Sequence, residues 1–157
     1  MSEHEALIAN FYRAFGDRDY KTMQQSYHPD AVFSDPVFTT LHGDEIGRMW
    51  EMLATTAKDL RIEAENIAAN GNGITCRWHA WYPFSRTGRE VHNIVNATFV
   101  FQDGKILRHT DNFDFYRWSR QALGLTGVVL GWTPFLQNKV RETAARSLKN
   151  FIQAASS

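Results

Sequence analysis

The sequence predicts a protein of the α+β class, in which helices pack against an antiparallel sheet. Apolar residues recur at helical spacing through most of residues 3–53, whereas apolar and polar residues alternate strictly through residues 60–116. Helices followed by a run of long strands with short turns are typical of this class. We expect one domain over residues 1–157, with a core at about 3–117 and a helical tail at about 118–155.

The first two predicted helices are marked by their capping residues. Ser2 is followed three residues later by Glu5, which is the capping-box pattern, and the apolar spacing behind it predicts a helix over residues 3–15. Asp19 is the expected cap of a short second helix at about residues 20–27.

A turn and a short strand are expected next, before a third helix. His28-Pro29-Asp30 predicts the turn, and residues 31–35 predict a strand that Pro36 ends. Gly43-Asp44 opens the third helix, whose inner stripe would consist of Ile46, Met49, Trp50 and Leu53.

The alternating half of the chain contains three turn sequences, at Asn70–Gly73, Ser85–Gly88 and Asp103-Gly104. The last is the clearest, because both of its residues tolerate the positive φ that a two-residue hairpin loop requires. The predicted strands lie at about 60–69, 74–84, 89–102 and 105–116.

The tail is predicted to end in an amphipathic helix. Thr133 is a suitable cap and Pro134 suits the first helical position, so the helix would run to about residue 154. An apolar stretch precedes this helix and needs a cover, either as a lid over a pocket or as part of a dimer interface. Its apolar residues include Val128, Val129, Leu130 and Trp132.

Composition and charge give no support to several classes of function. The 17 basic and 17 acidic residues balance, so nothing in the net charge favours nucleic acid or an anionic membrane as a partner. The single cysteine, Cys76, allows no disulfide within the chain, and together with the polar start it favours a cytoplasmic protein. No cofactor is expected. No metal is expected either, since His109 and Asp111 could supply two ligands but lack a third at suitable spacing.

Pairing the predicted strands places polar residues in one row. A two-residue loop at Asp103-Gly104 puts Asn96 opposite Asp111, and a symmetric turn at Ser85–Gly88 puts Arg77 opposite Asn96. His79 would occupy the next row. One sheet face would then carry Arg77, His79, Asn96, His109 and Asp111, bordered by aromatic residues. One extra residue in either turn would break this row.

Such a cluster suits acid–base chemistry. Apolar walls disfavour the charged form of a carboxylate and a neighbouring Arg favours it, so Asp111 is expected to be a tunable base with Arg77 holding it. His79 is the expected acid. The alternative is a hydrogen-bonded ladder that only fixes the sheet.

Two stretches resemble the nuclear transport factor 2-like superfamily, over roughly residues 5–117. Residues 31–37 followed by 42–46 resemble the segment in which steroid delta-isomerases carry their general base, which would be Asp35 here. Residues 101–106, running into 111–114, resemble the closing hairpin of SnoaL-like polyketide cyclases and limonene epoxide hydrolases. The resemblance implies a cone, in which a curved antiparallel sheet and N-terminal helices enclose a pocket. It also implies a homodimer through the sheet.

The same resemblance implies residue roles. The epoxide hydrolase pattern places its Arg at Arg77, its water-activating Asp at Asp111, its acid at His79 and its water-holding Asn at Asp35. The isomerase pattern expects a helix-one Tyr, where this chain has Phe11 beside Tyr12, and an oxyanion-hole acid near Asn96, which is not acidic.

We therefore expect a cofactor-free enzyme that isomerises, cyclises, dehydrates or hydrates a small apolar molecule. Catalysis would depend on Asp111, Arg77, His79 and Asp35. A non-catalytic binding protein and a dimerising scaffold of the same fold are the alternatives. The expected ligand contacts are Asn96, His109, Tyr12, Phe33, Trp50, Trp81 and Phe113.

Overall fold

The α+β prediction is confirmed by the computed structural model, which describes residues 1–156 and contains a curved six-stranded sheet with helices packed against it. The elements are α1 (Glu3–Gly16), α2 (Tyr20–Gln25), β1 (Tyr27–Ser34), β2 (Leu41–His42), α3 (Asp44–Thr56), β3 (Arg61–Asn70), β4 (Gly73–Pro83), β5 (Glu90–Gln102), β6 (Lys105–Asn112), α4 (Phe115–Leu123), α5 (Leu125–Leu130) and α6 (Pro134–Ser156).

The helix caps read from the sequence are present. Both hydrogen bonds of the capping box between Ser2 and Glu5 form, and Asp19 accepts a hydrogen bond from the Thr22 backbone N–H. The Thr133 hydroxyl accepts from the Leu136 N–H at the start of α6. Each cap satisfies a backbone donor that the first turn of a helix leaves free.

The sheet has the strand order β2-β1-β6-β5-β4-β3 and is antiparallel except where β1 runs parallel to β6. The predicted turn at residues 28–30 is wrong, because these residues belong to β1. Pro29 is tolerated there because the β1–β6 register shifts between Tyr27 and Val32, so the ladder does not require its missing N–H.

The predicted pairing of β4 with β5 is confirmed, with Arg77 opposite Asn96 and Trp81 opposite His92. The predicted pairing of β5 with β6 is wrong beyond its first two pairs. The tight turn forms as expected, with φ of 54° at Asp103 and 76° at Gly104. A bulge at residue 107 then shifts the register, so that Asp111 pairs with Ala97.

Because of this one-residue shift, the residues of β6 after the bulge lie on the opposite face of the sheet from the one predicted. Successive strand residues point to opposite sides, so an extra residue inverts every later position. His109 and Asp111 consequently lie on the inner face, which packs against the helices, and both are buried. Arg77 and Asn96 lie on the outer face and are exposed.

The core lies between the inner sheet face and helices α1 and α3. Its fully buried aromatic side chains include Phe11, Phe33, Trp50 and Phe99. Leu148 of α6 joins this core, while Trp118 and Ala122 of α4 form a second apolar cluster with Val91. None of the helices within residues 1–156 is both long and apolar enough to cross a membrane.

Candidate functional site

A cavity of about 480 Å³ opens between the inner sheet face, α3 and the β4–β5 turn. Most of its walls are apolar, and two carboxylates, Asp35 and Asp111, lie among them. An apolar cavity with a few converging polar groups is the usual form of a small-molecule site. The apolar lining includes Phe15, Val37, Phe38, Met49, Trp50, Leu53, Leu60, Trp78, Val95 and Phe113.

Asp35 stands directly after β1, where Pro36 ends the strand and turns the chain. Its Oδ1 atom accepts hydrogen bonds from the backbone N–H groups of Val37 (2.7 Å) and Phe38 (2.6 Å). Burial raises the pKa of Asp35 to about 7, with a further upward contribution from the charge of Asp111, although the two hydrogen bonds oppose the shift. At neutral pH this carboxyl can therefore both release and accept a proton.

Asp111 is the end of a buried chain of hydrogen bonds. Its Oδ1 atom lies 2.8 Å from Nε2 of His109, and Nδ1 of His109 lies 2.8 Å from the hydroxyl of Tyr27. The indole N–H of Trp50 donates to the same hydroxyl at 2.9 Å. Trp78 donates to Asp111 Oδ1 at 3.4 Å.

One proton arrangement satisfies the whole chain. Trp50 can only donate, so the Tyr27 oxygen accepts, and its own O–H is free to donate to His109 Nδ1. His109 then carries its proton on Nε2 and donates to Asp111. We infer this tautomer from the donors and acceptors, and it pairs both ring nitrogens of His109, the Tyr27 hydroxyl and the Trp50 indole N–H.

Two residues that line the cavity, Tyr82 and Asn93, were not predicted as site residues from the sequence. The Tyr82 oxygen accepts from the Trp118 indole N–H at 2.9 Å, so its own O–H remains available to a ligand. Burial, with a smaller contribution from Asp35, raises the pKa of Tyr82 and keeps it neutral. The signal that the sequence offered was the β4–β5 register, which places Asn93 opposite Ala80 and on the same face as Tyr82.

The structure separates the predicted polar row. Arg77, His79, Asn96 and Trp81 lie on the outer face, across the sheet from Asp111, because the bulge in β6 inverts the predicted parity. The hydrogen bond between Arg77 Nε and Asn96 Oδ1 (3.3 Å) forms there, without the carboxylate. The convergence expected for Arg77, His79 and Asp111 is therefore wrong.

The other predicted ligand contacts divide into two groups. Trp50 and Phe113 line the cavity. Tyr12, Phe33 and His109 lie in the core and do not line it, because the rings of α1 and α3 close over them. The Tyr12 hydroxyl is buried without a hydrogen-bond partner within the described part of the chain.

A second histidine network occupies the outer face. His79 Nδ1 lies 2.8 Å from His92 Nε2, and His79 Nε2 lies 3.1 Å from Glu65 Oε1. The ring of Trp81 stacks on His92 at 4.5 Å, with Arg61 on its face at 4.2 Å. Within residues 1–156, no group of three His, Cys, Asp or Glu side chains is arranged to hold a metal ion.

Comparison with known proteins places this geometry in a family. The sequence profile of the SnoaL-like domain matches residues 8–109. No curated protein sequence matches the chain significantly.

Solved structures share the fold at low sequence identity. An NTF2-like protein of unknown function from Burkholderia pseudomallei is 21% identical, with a TM-score of 0.69, and the match covers 77% of this chain and 98% of that one. An LEH-like epoxide hydrolase from M. tuberculosis is 21% identical, with a TM-score of 0.63 and coverage of 82% and 96%. AclR, a putative hydroxylase from Streptomyces galilaeus, is 20% identical, with a TM-score of 0.65 and coverage of 83% and 98%.

Proposed function

The chain belongs to the SnoaL-like domain family, and from that premise we propose that it is a cofactor-free proton-transfer enzyme acting on a small apolar carbonyl compound. The observation that carries this proposal is the pair of carboxylates, Asp35 and Asp111, in one largely apolar cavity, with the pKa of Asp35 raised to about 7. A general base is most effective when its pKa lies near the working pH.

In the proposed reaction, the Asp35 carboxylate removes a proton from a carbon next to the carbonyl group. The resulting enolate oxygen accepts a hydrogen bond from the free O–H of Tyr82, which stabilises the negative charge that develops there. When the substrate carries a C=C bond beside that carbon, the intermediate is a dienolate, and Asp35 returns the same proton to its γ carbon, which moves the C=C bond into conjugation with the carbonyl group. The net result is an isomerisation in which no proton is gained or lost.

The role proposed for Asp111 is electrostatic. Its position near Asp35 raises the pKa of that residue, and its own orientation is held by His109 and Trp78. Asp111 would therefore set the proton affinity of the base. The apolar walls exclude water from the enolate, which favours return of the proton over exchange with solvent.

The test uses cyclic β,γ-unsaturated ketones in D₂O, with NMR to follow isomerisation and deuterium uptake. We expect wild-type protein to isomerise at least one of them and Asp35→Asn to lower the rate by about 10²–10⁴-fold. Asp30→Asn is the matched control, because it makes the same change on an exposed position of β1. Unchanged turnover in Asp35→Asn would contradict the proposal.

A non-catalytic binding protein is the second candidate, favoured by the largely apolar walls, which suit an apolar ligand whether or not the carboxylates react. It predicts that the same ketones bind, as measured by calorimetry, without turnover. In that case Asp35→Asn would change affinity only slightly.

A further inference from the structure

An exposed apolar patch surrounds α5, outside the stretch that matches the family profile. Among residues 1–156, eight large apolar side chains are exposed, and six of them fall within eleven residues of sequence. Leu125, Trp132 and Phe135 are the most open of the six, at 77%, 68% and 71% exposure. Exposed apolar side chains so concentrated usually mark an interaction surface. The six are Leu125, Val128, Val129, Leu130, Trp132 and Phe135.

The packing of α5 turns its apolar residues outward. Gly127 and Gly131 face α4 so closely that a Cβ atom at Gly127 would lie 1.9 Å from the Ser119 carbonyl oxygen, and one at Gly131 would lie 2.1 Å from the Ser119 hydroxyl. Only glycine fits at such positions. The backbone therefore lies flush against α4, and the valine and leucine side chains project away from the protein. This arrangement is the reverse of an ordinary surface helix.

Positive charge borders the patch. Arg89 donates to the Gln121 carbonyl, and its guanidinium group lies beside Gly124 at the start of α5. Arg120 lies 5.0 Å from the ring of Tyr116, whose hydroxyl donates to the Val128 carbonyl. Lys139 lies one helical turn after Phe135.

The same stretch of sequence contains no opposing charge. Between residues 115 and 141 there are four basic residues and no acidic one, although the whole chain is neutral. The overall balance that gave no reason to expect a membrane partner therefore hides a local excess of positive charge.

We propose that this patch docks on an anionic lipid surface. Exposed Trp, Phe and Leu side chains flanked by Arg and Lys are the features by which amphipathic segments lie in a membrane interface. The charges also disfavour a second copy of the chain as the occupant, because contact between two such patches would bring two sets of basic side chains, including Arg120 and Lys139, toward one another.

Docking would bring the cavity close to the lipid. The β4–β5 turn that supplies Arg89 also contributes Ser85 and Gly88 to the cavity lining. Thr87 in the same turn donates to the Ala122 carbonyl at the end of α4. An apolar ligand dissolved in the membrane would then have a short path to the cavity.

The test is co-sedimentation of the full chain with two kinds of vesicle, pure phosphatidylcholine and phosphatidylcholine with about one third phosphatidylglycerol. We expect binding to the anionic vesicles that weakens as salt is raised. Replacing both Trp132 and Phe135 by Ser should reduce this binding by about tenfold or more, because both side chains lie outside the core.

Charge variants measure how much the basic residues contribute to vesicle binding, and a matched control tests whether the effect is specific to the patch. Arg120→Gln and Lys139→Gln should each weaken binding to anionic vesicles by roughly fivefold and leave binding to neutral vesicles unchanged. Val100→Ser is the control, because Val100 is 40% exposed on β5 at a position distant in sequence from the patch, and it should bind like wild type.

Three results would overturn the proposal. The first is failure of wild-type protein to sediment with anionic vesicles, and the second is sedimentation of the Trp132/Phe135 variant as complete as that of wild type. The third is a wild-type dimer in analytical ultracentrifugation that the same variant dissociates, which would assign the patch to a second copy of this chain.

Discussion

Each face of the sheet carries a carboxylate hydrogen-bonded to an imidazole ring, and that ring is hydrogen-bonded in turn to a third side chain. On the inner face Asp111, His109 and Tyr27 form a chain that is almost completely buried. On the outer face Glu65, His79 and His92 form a similar chain that is open to solvent along one side. The residue types are nearly the same, and the distances differ by only a few tenths of an ångström.

The difference between the faces lies in access to water. A buried polar group that loses its partner has no solvent to replace it, whereas an exposed group exchanges its partner for water at little cost. We therefore expect the inner chain to be sensitive to every deletion and the outer chain to tolerate most of them. The following predictions test this contrast, beginning with the largest effect.

The largest effect is expected for His109→Ala. This change leaves the Asp111 carboxylate buried with only the long hydrogen bond from Trp78, and it opens a cavity in the core. We expect the free energy of unfolding to fall by about 3–5 kcal/mol, as measured by urea denaturation.

The matched change on the outer face is His79→Ala. Because His79 is partly exposed and Glu65 remains in contact with water, we expect a loss below about 1 kcal/mol. Equal losses in the two variants would show that burial does not distinguish the two networks.

A smaller loss in the free energy of unfolding is expected for Tyr27→Phe. The hydroxyl of Tyr27 is the partner of both Trp50 and His109, so its removal leaves a buried donor and a buried ring nitrogen unpaired. We expect a loss of roughly 2–3 kcal/mol in the same denaturation assay. Tyr116→Phe is the control, because its hydroxyl bonds an exposed carbonyl and should cost less than about 1 kcal/mol.

Asp35→Asn should stabilise the protein at alkaline pH. Folding raises the pKa of Asp35 from 3.8 to about 7. Between pH 3.8 and about pH 7, Asp35 is therefore protonated in the folded state and ionised in the unfolded state. Stability contributed by this group is therefore present at low pH and lost as pH rises toward 7. Asparagine does not titrate, and its side-chain oxygen can still accept from Val37 and Phe38.

The gain in stability at alkaline pH is limited because Asp35 faces the cavity, where water partly solvates its charged form. A shift of about three pKa units corresponds to roughly 4 kcal/mol, and partial solvation should reduce the gain to about 1–2 kcal/mol at pH 8. At pH 4 the two proteins should unfold at nearly the same temperature. An Asn variant that is less stable than wild type at pH 8 would contradict a raised pKa for Asp35.

The sequence predicted helices α1, α2, α3 and α6, their capping residues and the β4–β5 register, because each depends on residues a few positions apart. It did not predict α4, since it extended the last strand to residue 116. It placed Asp35 and Asp111 among the site residues, but it placed Arg77 and His79 beside Asp111. The bulge at residue 107 has no local sequence signal, since neither glycine nor proline marks it. It follows from packing, because it directs His109 and Asp111 toward Tyr27 and Trp78.

Tyr82 and Asn93 show a second limit of the sequence. Both lie on the inner face among apolar residues such as Ala80 and Val95, and a cavity forms there because α3 and the β4–β5 turn close around them. The single-domain boundaries and the homodimer through the sheet stay predictions. The outer face, with its exposed Arg77 and Asn96, would supply the surface for such a dimer.

The smallest predicted effect concerns the outer network and is a change in pKa. Burial lowers the pKa of His92, and the charges of His79, Arg117 and Arg61 lower it further. Protonation of His92 therefore opposes folding, and this group reduces stability only as pH falls below about 6.5. His79→Gln removes one of the positive charges but can keep the hydrogen bond, so the pKa of His92 should rise toward its ordinary value.

Titration of the imidazole C–H signals by NMR would measure this rise. The His92 pKa should stay below 6.5 in the variant, because burial and the two arginines remain. His42→Gln, at an exposed position of β2, is the control and should leave His92 unchanged. An unchanged His92 pKa in His79→Gln would mean that solvent screens even a contact of 2.8 Å on this face, and the two networks would then differ more than their geometry indicates.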